Sequence, residues 1–282
     1  IPEHPSLVFL HAATYGDMSL QRFTGRWNCT VHQITGPGET ASRLAAHSIA
    51  VTNKVVIDKS VLNSSAASAL KFIAVAATGT DIIDREEAAR RGVQVCNVPG
   101  YATPSVAQFT LALILGLAAR AADYGNAVKT GAWEKSPVFS LLTFPTIELK
   151  GKKLGIVGYG SIGQAGAQMA RGVGMEIILA GRPSVTGAMP PGRIGLEHLL
   201  READVVSLHC PLTPETASLI NERSLALMKP TAFLINTARG ALIDEPALIA
   251  ALRQKRIAGA ALDVITQEPP PADHPIVSAA KE

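Results

Sequence analysis

The sequence predicts an α/β protein built from two doubly wound, parallel-sheet domains. Three observations carry this. Short apolar runs alternate with helix-like segments through most of the 282 residues, the pattern of strands joined by crossover helices. The alternation breaks at Pro99-Gly100, where a long apolar helical stretch follows, and it resumes after residue 150. The first strand-like run of that second half, 154–157, leads into Gly158-Tyr159-Gly160-Ser161-Ile162-Gly163, a G-x-G-x-x-G spacing set between a strand and a helix. The expected division is residues 1–98 and 99–282.

In chain order, residues 7–10 read as a first strand and 40–46 carry helical spacing. Residues 49–52 and 71–75 are strands, with 58–70 helical between them. Ala76-Ala77-Thr78-Gly79-Thr80-Asp81 is a loop of small residues. Asp84 and Glu87 have the spacing of a capping box for a helix over 85–91, which Gly92 closes, and 93–96 is a strand. Pro104 opens a single helix from 105 to about 126, apolar on most sides as a connector between domains would be, and 131–150, with Pro137 and Pro145, is irregular.

In the second half, 161–171 is a helix, 175–180 a strand, 196–203 a helix and 204–208 a strand. A loop over 211–216 precedes a strand over 232–236, which ends in Thr237-Ala238-Arg239-Gly240. Asp244 caps a helix over 245–253 that carries Pro246 in its first turn, and 258–264 is the last strand.

Each glycine of the motif has a separate task in a dinucleotide site. Gly158 allows the tight turn out of the strand, Gly160 lets a pyrophosphate approach the backbone, and Gly163 lets the helix pack close. The helix would aim its first amides, with the positive end of its dipole, at the phosphates. This makes the second domain the dinucleotide-binding one and both domains Rossmann-like.

Composition narrows the remaining classes. Apolar residues are 47% and charged residues 17%, which suits packed cores and not a disordered or nucleic-acid-binding chain. Net charge is +3, and Lys152-Lys153 and Arg90-Arg91 are pairs and not basic stripes. Cys29, Cys96 and Cys210 are far apart, with neither metal spacing nor a disulfide framework, as in a reducing cytosol. The apolar run 109–119 is too short to span a bilayer. No metal, nucleic-acid or membrane partner is expected, and the location expected is cytoplasmic.

In an open α/β sheet, ligands gather at the carboxyl ends of the strands. The polar residues there are Thr78 with Gly79, Gly181 with Arg182, His209 with Cys210, Thr237 to Arg239, and Asp263 with Glu268 beyond it. A guanidinium at a strand end, as at Arg239, can hold a carboxylate in two parallel hydrogen bonds. A helix start disfavours a cation, so Arg239 reads as functional and not as surface. Spacing alone leaves Glu268, before Pro269-Pro270-Pro271, equally readable as an exposed turn residue.

Taken together and in order, these segments resemble the D-isomer-specific 2-hydroxyacid dehydrogenases, most closely the glycerate dehydrogenase and hydroxypyruvate or glyoxylate reductase group. The resemblance covers nearly the whole chain. It rests on residues 77–84, on Ser105-Val106-Ala107-Gln108 and on 155–163. It continues through His209-Cys210-Pro211-Leu212-Thr213, Asn236 to Gly240, and Ala261-Leu262-Asp263-Val264 running to Glu268-Pro269-Pro270. It implies NAD(P)H-dependent reduction of a small 2-keto acid, hydroxypyruvate or glyoxylate, with residues 1–98 as the substrate domain. Arg239 would bind the substrate carboxylate and polarise its keto oxygen, and Glu268 would orient a histidine and raise its pKa. Thr78, Gly79 and Asn53 would bind substrate. Thr78, Gly158, Gly160, Ser161, Ile162, Gly163, Arg182, Cys210, Pro211, Thr237, Ala238, Arg239 and Asp263 would line the cofactor, Asp263 at the nicotinamide carboxamide. The resemblance also implies a homodimer, which would cover the apolar helix. Other readings of the same pattern are a non-catalytic, nucleotide-sensing co-repressor-like protein and a dehydrogenase of another acid such as phosphoglycerate or formate.

Three positions depart from the resemblance. The family's catalytic histidine follows the glutamate in a T-P-H segment, and its equivalent is expected beyond Glu282, among about 30 to 40 further residues that complete the first domain with a last helix. His274, in Asp273-His274-Pro275, reads as a loop residue. At the end of the second strand of the dinucleotide domain, NAD sites place an acidic residue; here Gly181 and Arg182 stand there, so NADP is favoured over NAD. Arg182 is otherwise readable as stacking on the adenine or facing solvent. His11, after the first strand, stands where relatives carry an acidic residue and reads as structural.

Overall fold

The computed structural model describes residues 5–182 and 190–281. The chain divides between Ala102 and Thr103 into two compact units, each with its own sheet and core.

The sheet of the first unit holds β1 (Ser6–Phe9), β2 (Asn28–Val31), β3 (Ile49–Thr52), β4 (Phe72–Val75) and β5 (Gln94–Cys96). All neighbours run parallel, in the order β2-β1-β3-β4-β5. Val8, Leu10, Ala50, Ile73 and Val75 form the buried core with Leu44, Ile57 and Leu62. β2, absent from the sequence expectation, is an edge strand without a fully buried residue. The single helix expected over 58–70 is instead an α-turn, Lys59–Leu62, and a 3-10 turn, Ser65–Ala69. Polar side chains break it: the Ser64 hydroxyl donates to the Val61 carbonyl, which a continuing helix would have used.

The second unit repeats the plan with β6 (Lys153–Val157), β7 (Glu176–Leu179), β8 (Val205–Leu208), β9 (Phe233–Asn236) and β10 (Gly259–Leu262). Its order is β10-β9-β8-β6-β7, again all parallel. Counted in chain order, both sheets therefore read 2-1-3-4-5, and their direction of winding reverses between the first and third strands. β8 and β9 are buried at every residue, because helices cover both faces. Leu199, Val206, Leu208, Leu234 and Leu248 pack one core. Ile114, Ala118, Leu154, Ile156, Ala167 and Ile235 pack the other.

The helix expected to run from 105 to about 126 is broken. Thr103–Ala119 and Ala121–Lys129 meet at 59°. Arg120, at the break, is left-handed with φ 53. The Ile147 amide takes the Ala118 carbonyl at 2.9 Å, Arg120 pairs with Asp123, and its guanidinium lies 5.4 Å from the Phe144 ring centre. The irregular segment thus caps the first helix with bonds that a straight helix would have made internally. Among the described residues no single helix is long and apolar enough to cross a membrane.

Candidate functional site

The parallel register brings four strand ends of the second unit to one edge. Val157 pairs with Leu208, Leu208 with Asn236, and Asn236 with Leu262. The next residues, Gly158, His209, Thr237 and Asp263, therefore stand side by side, with the His209 amide on the Val157 carbonyl at 2.7 Å and the Asp263 amide on the Asn236 carbonyl at 2.9 Å. Three inter-strand steps place the two ends of this row about 14 Å apart.

The glycine turn occupies one end. Gly158 has φ 97, and a Cβ there would fall on the Cys210 amide nitrogen, far inside van der Waals contact. A Cβ on Gly163 would collide with the Gly158 carbonyl oxygen. A Cβ on Gly160 would meet nothing within 4 Å. Two of the glycines are thus required by packing, while the middle one borders open space. Helix Ser161–Gly172 starts there with no side-chain cap on Gly160, so the amides of Ser161 and Ile162 face that space with the positive end of the helix dipole. An open cradle of backbone donors fits a dinucleotide pyrophosphate.

Cys210 is buried and Pro211 exposed at the tip of β8. Beneath the turn, the His209 Nε2 lies 2.9 Å from the Ser207 hydroxyl, and its Nδ1 is buried without a hydrogen-bond partner among the described residues. Burial lowers the His209 pKa to about 4, so the ring is neutral at working pH and does not act as a proton donor there.

The tip of β9 is built by Asn236, which is fully buried. Its side-chain amide donates to the Arg239 carbonyl at 2.9 Å and its side-chain oxygen accepts from the Ala238 amide at 3.0 Å, which folds residues 236–239 into a tight turn. The Thr237 hydroxyl meets that of Thr110, from helix Thr103–Ala119, at 3.0 Å. Arg239 leaves this turn partly buried, with Nη1 on the Ala238 carbonyl at 2.7 Å.

The loop after β10 is pressed against that turn. A Cβ on Gly240 would overlap the Ile265 carbonyl group, so only glycine admits the approach. Glu268 lies exposed on this loop, its Oε1 accepting from the Ile265 amide at 3.1 Å, and Asp263 is exposed at the strand tip. Sequence reasoning missed what holds the loop from beneath. Glu245 accepts from the Thr266 amide at 2.7 Å and lies 3.5 Å from the His274 Nε2. His274 is a loop residue as expected, standing just before helix Pro275–Ala279, but it is buried there: it is 6% exposed and its Nδ1 accepts from the Ile276 amide, capping that helix. That bond leaves Nε2 as the protonated nitrogen, aimed at the buried Glu245 carboxylate.

At the end of β7, Gly181 donates to the Ile194 carbonyl at 2.8 Å and Arg182 is exposed. Glu176 begins β7 at the opposite end. Arg193, which the sequence did not single out, has Nη1 on the Ala180 carbonyl at 2.9 Å and its guanidinium carbon 5.2 Å from the Tyr159 ring centre.

In the first unit, Asn53 follows β3 and is partly buried, and Thr78 and Gly79 follow β4. Their loop is pinned by the Asn97 side chain, which donates to the Thr78 carbonyl at 2.7 Å, and by the Thr78 hydroxyl on the Val98 carbonyl at 3.2 Å. Neither the Thr78 nor the Gly79 amide donates to a partner among the described residues, which suits them to hold an anion. No group of three or more His, Cys, Asp or Glu that could hold a metal occurs among the described residues.

Comparison with known proteins gives the family and fold neighbours of the chain. Residues 111–281 match the family model described as "D-isomer specific 2-hydroxyacid dehydrogenase, NAD binding domain". The chain is 48% identical over 223 residues to a glyoxylate reductase of Thermococcus litoralis, covering 78% of this chain and 66% of that protein. It is 35% identical to a hydroxypyruvate reductase of Blautia hydrogenotrophica, covering 94% and 83%. A crystal structure of a Thermus thermophilus protein superposes with a TM-score of 0.82 at 37% identity, covering 97% of this chain and 86% of that one.

Proposed function

The chain belongs to the D-isomer specific 2-hydroxyacid dehydrogenase family, and from that premise we propose that it reduces a small 2-keto acid, hydroxypyruvate or glyoxylate, to the D-2-hydroxy acid with NAD(P)H. The observation that carries this is the single carboxyl edge on which the open glycine cradle, Arg239 and the Asp263–Glu268 loop are aligned by strand register. The bound nicotinamide would supply a hydride to C2 of the acid.

The protein's part is positioning and charge. The amides of Ser161 and Ile162 hold the pyrophosphate, and Cys210, Pro211, Thr237 and Ala238 border the dinucleotide along the row of strand ends. Asp263 orients the carboxamide. Arg239 grips the substrate carboxylate and draws electron density toward the keto oxygen as it becomes an alkoxide. Glu268 would orient the histidine that the family resemblance implies, whose imidazolium would give a proton to the alkoxide formed by hydride addition; His274, engaged with Glu245, is not offered for the role. The first unit acts as the substrate domain, with Thr78 and Gly79 amides and Asn53 addressing the carboxylate. The small residues of the 76–80 loop favour a small acid.

Gly181 in place of a carboxylate, with Arg182 beside it, favours NADPH. A cytoplasmic homodimer is the assembly we favour; Phe139 and Leu142, 92% and 83% exposed, with Trp133 and Phe109, give the second unit apolar surface that a second copy would cover. A non-catalytic nucleotide sensor is not favoured, since the relatives are named as reductases.

Steady-state reduction of hydroxypyruvate and glyoxylate tests the reading. Arg239→Lys should lower kcat/KM by about 100-fold, because an ammonium cannot replace a bidentate fork. An unchanged kcat/KM in that variant would remove Arg239 from the mechanism.

A further inference from the structure

We infer that Arg193 is a second determinant of cofactor choice, forming with Arg182 the seat of the 2′-phosphate of NADPH. This rests on the dinucleotide reading above and deepens it.

Arg193 is far from the glycine motif in sequence but is fixed beside it in space. The Ile194 amide donates to the Leu179 carbonyl at 2.9 Å, and the Gly181 amide donates to the Ile194 carbonyl at 2.8 Å. Ala180 and Ile194 form a parallel bridge, so residues 193–194 extend the sheet at the carboxyl end of β7. In a doubly wound domain the adenosine ribose lies at this strand end.

The side chain is held on two sides. Nη1 donates to the Ala180 carbonyl at 2.9 Å, and the guanidinium lies over Tyr159, the residue between Gly158 and Gly160. Tyr159 is itself anchored, its carbonyl accepting from the Gln164 side chain at 3.2 Å. One of five N–H donors is used, and the planar fork is already ordered before a ligand arrives.

Charge points the same way. Arg43, Arg90, Arg120, Arg201 and Arg223 each meet a carboxylate. Arg182 and Arg193 meet none among the described residues, as do several others such as Arg22 and Arg171; what sets these two apart is that both flank the strand end where Gly181 replaces an acidic residue. A partly buried guanidinium with no counter-charge among the described residues, at a strand end that also carries an exposed arginine, suits a doubly charged phosphate monoester. Arg193 would act as the fixed contact and Arg182 as the solvent-side one.

The test is calorimetric titration of the full chain with 2′,5′-ADP, 5′-AMP, NADPH and NADH, for the unaltered protein, Arg193→Gln, Arg193→Lys and Arg182→Gln. Arg193→Gln should weaken 2′,5′-ADP and NADPH by about tenfold or more and change 5′-AMP and NADH by less than about threefold, as expected for loss of a charge-assisted contact to the phosphate alone. Arg193→Lys should recover part of that loss, and it serves as the readout if the Gln variant melts early. Equal weakening of all four ligands would make Arg193 only a brace for the glycine turn and overturn the inference, as would no change in any. An unaltered protein that prefers NADH sinks the inference and leaves the reductase reading standing. If it binds none of the four, the dinucleotide reading itself fails.

Discussion

Gly158 and Gly160 are two residues apart, yet the backbone asks different things of them. At Gly158 a methyl group would overlap the Cys210 amide at a φ of 97. Gly158→Ala should therefore cost about 3 kcal/mol or more of stability, from clash and left-handed strain together. At Gly160 there is open space and an ordinary φ of −78. Gly160→Ala should melt within a degree or two of the unaltered protein and yet bind NADPH at least tenfold more weakly, because the methyl would fill the cradle. Thermal melting beside a fluorescence titration separates the two. If Gly160→Ala binds normally, the pyrophosphate lies elsewhere.

Loops, not strands, decide where Arg239 and Glu268 go, and each loop is held by a buried polar residue. Glu245 serves the second: it ties the Thr266 amide at 2.7 Å and faces His274, both side chains buried. His274→Ala leaves that carboxylate without its neighbour and should cost about 1–3 kcal/mol. It should also lower kcat more than it raises the KM for hydroxypyruvate, since Glu268 is on the loop that loosens; melting and steady-state kinetics check both. The strands around this loop were legible because central parallel strands are continuously apolar, as at 205–208 and 233–236. Asp244 and Pro246 announced their helix, and Asp244 accepts from the Ala247 amide as a cap should. Other features carry no local mark. β2 is an edge strand with no buried residue, so it lacks the alternation that would reveal it. Helix Glu222–Leu227 has a capping box from Asn221 and Ser224, a signal present in the sequence and passed over. The break at Arg120 and the burial of His274 come from partners 24 and 29 residues away, at Phe144 and Glu245, and no window of sequence contains both sides.

At the scale of the molecule, the chain carries separate cores: Val8, Leu10, Ile57 and Ile73 in the first unit, Leu199, Leu208, Leu234 and their neighbours in the second. Units with independent cores need not melt together. The glycine cradle proposed for the pyrophosphate lies in the second unit, between the end of β6 and the start of helix Ser161–Gly172. A ligand that binds one folded unit stabilises that unit alone, by about 2.7 kcal/mol at a hundred times its dissociation constant. For a unit of this size that corresponds to a shift of roughly 5–10 °C. Scanning calorimetry with saturating NADPH should therefore show two transitions of which one moves by that amount while the other stays within about a degree. A single transition that shifts as a whole with NADPH alone would mean that the two cores unfold as one cooperative body.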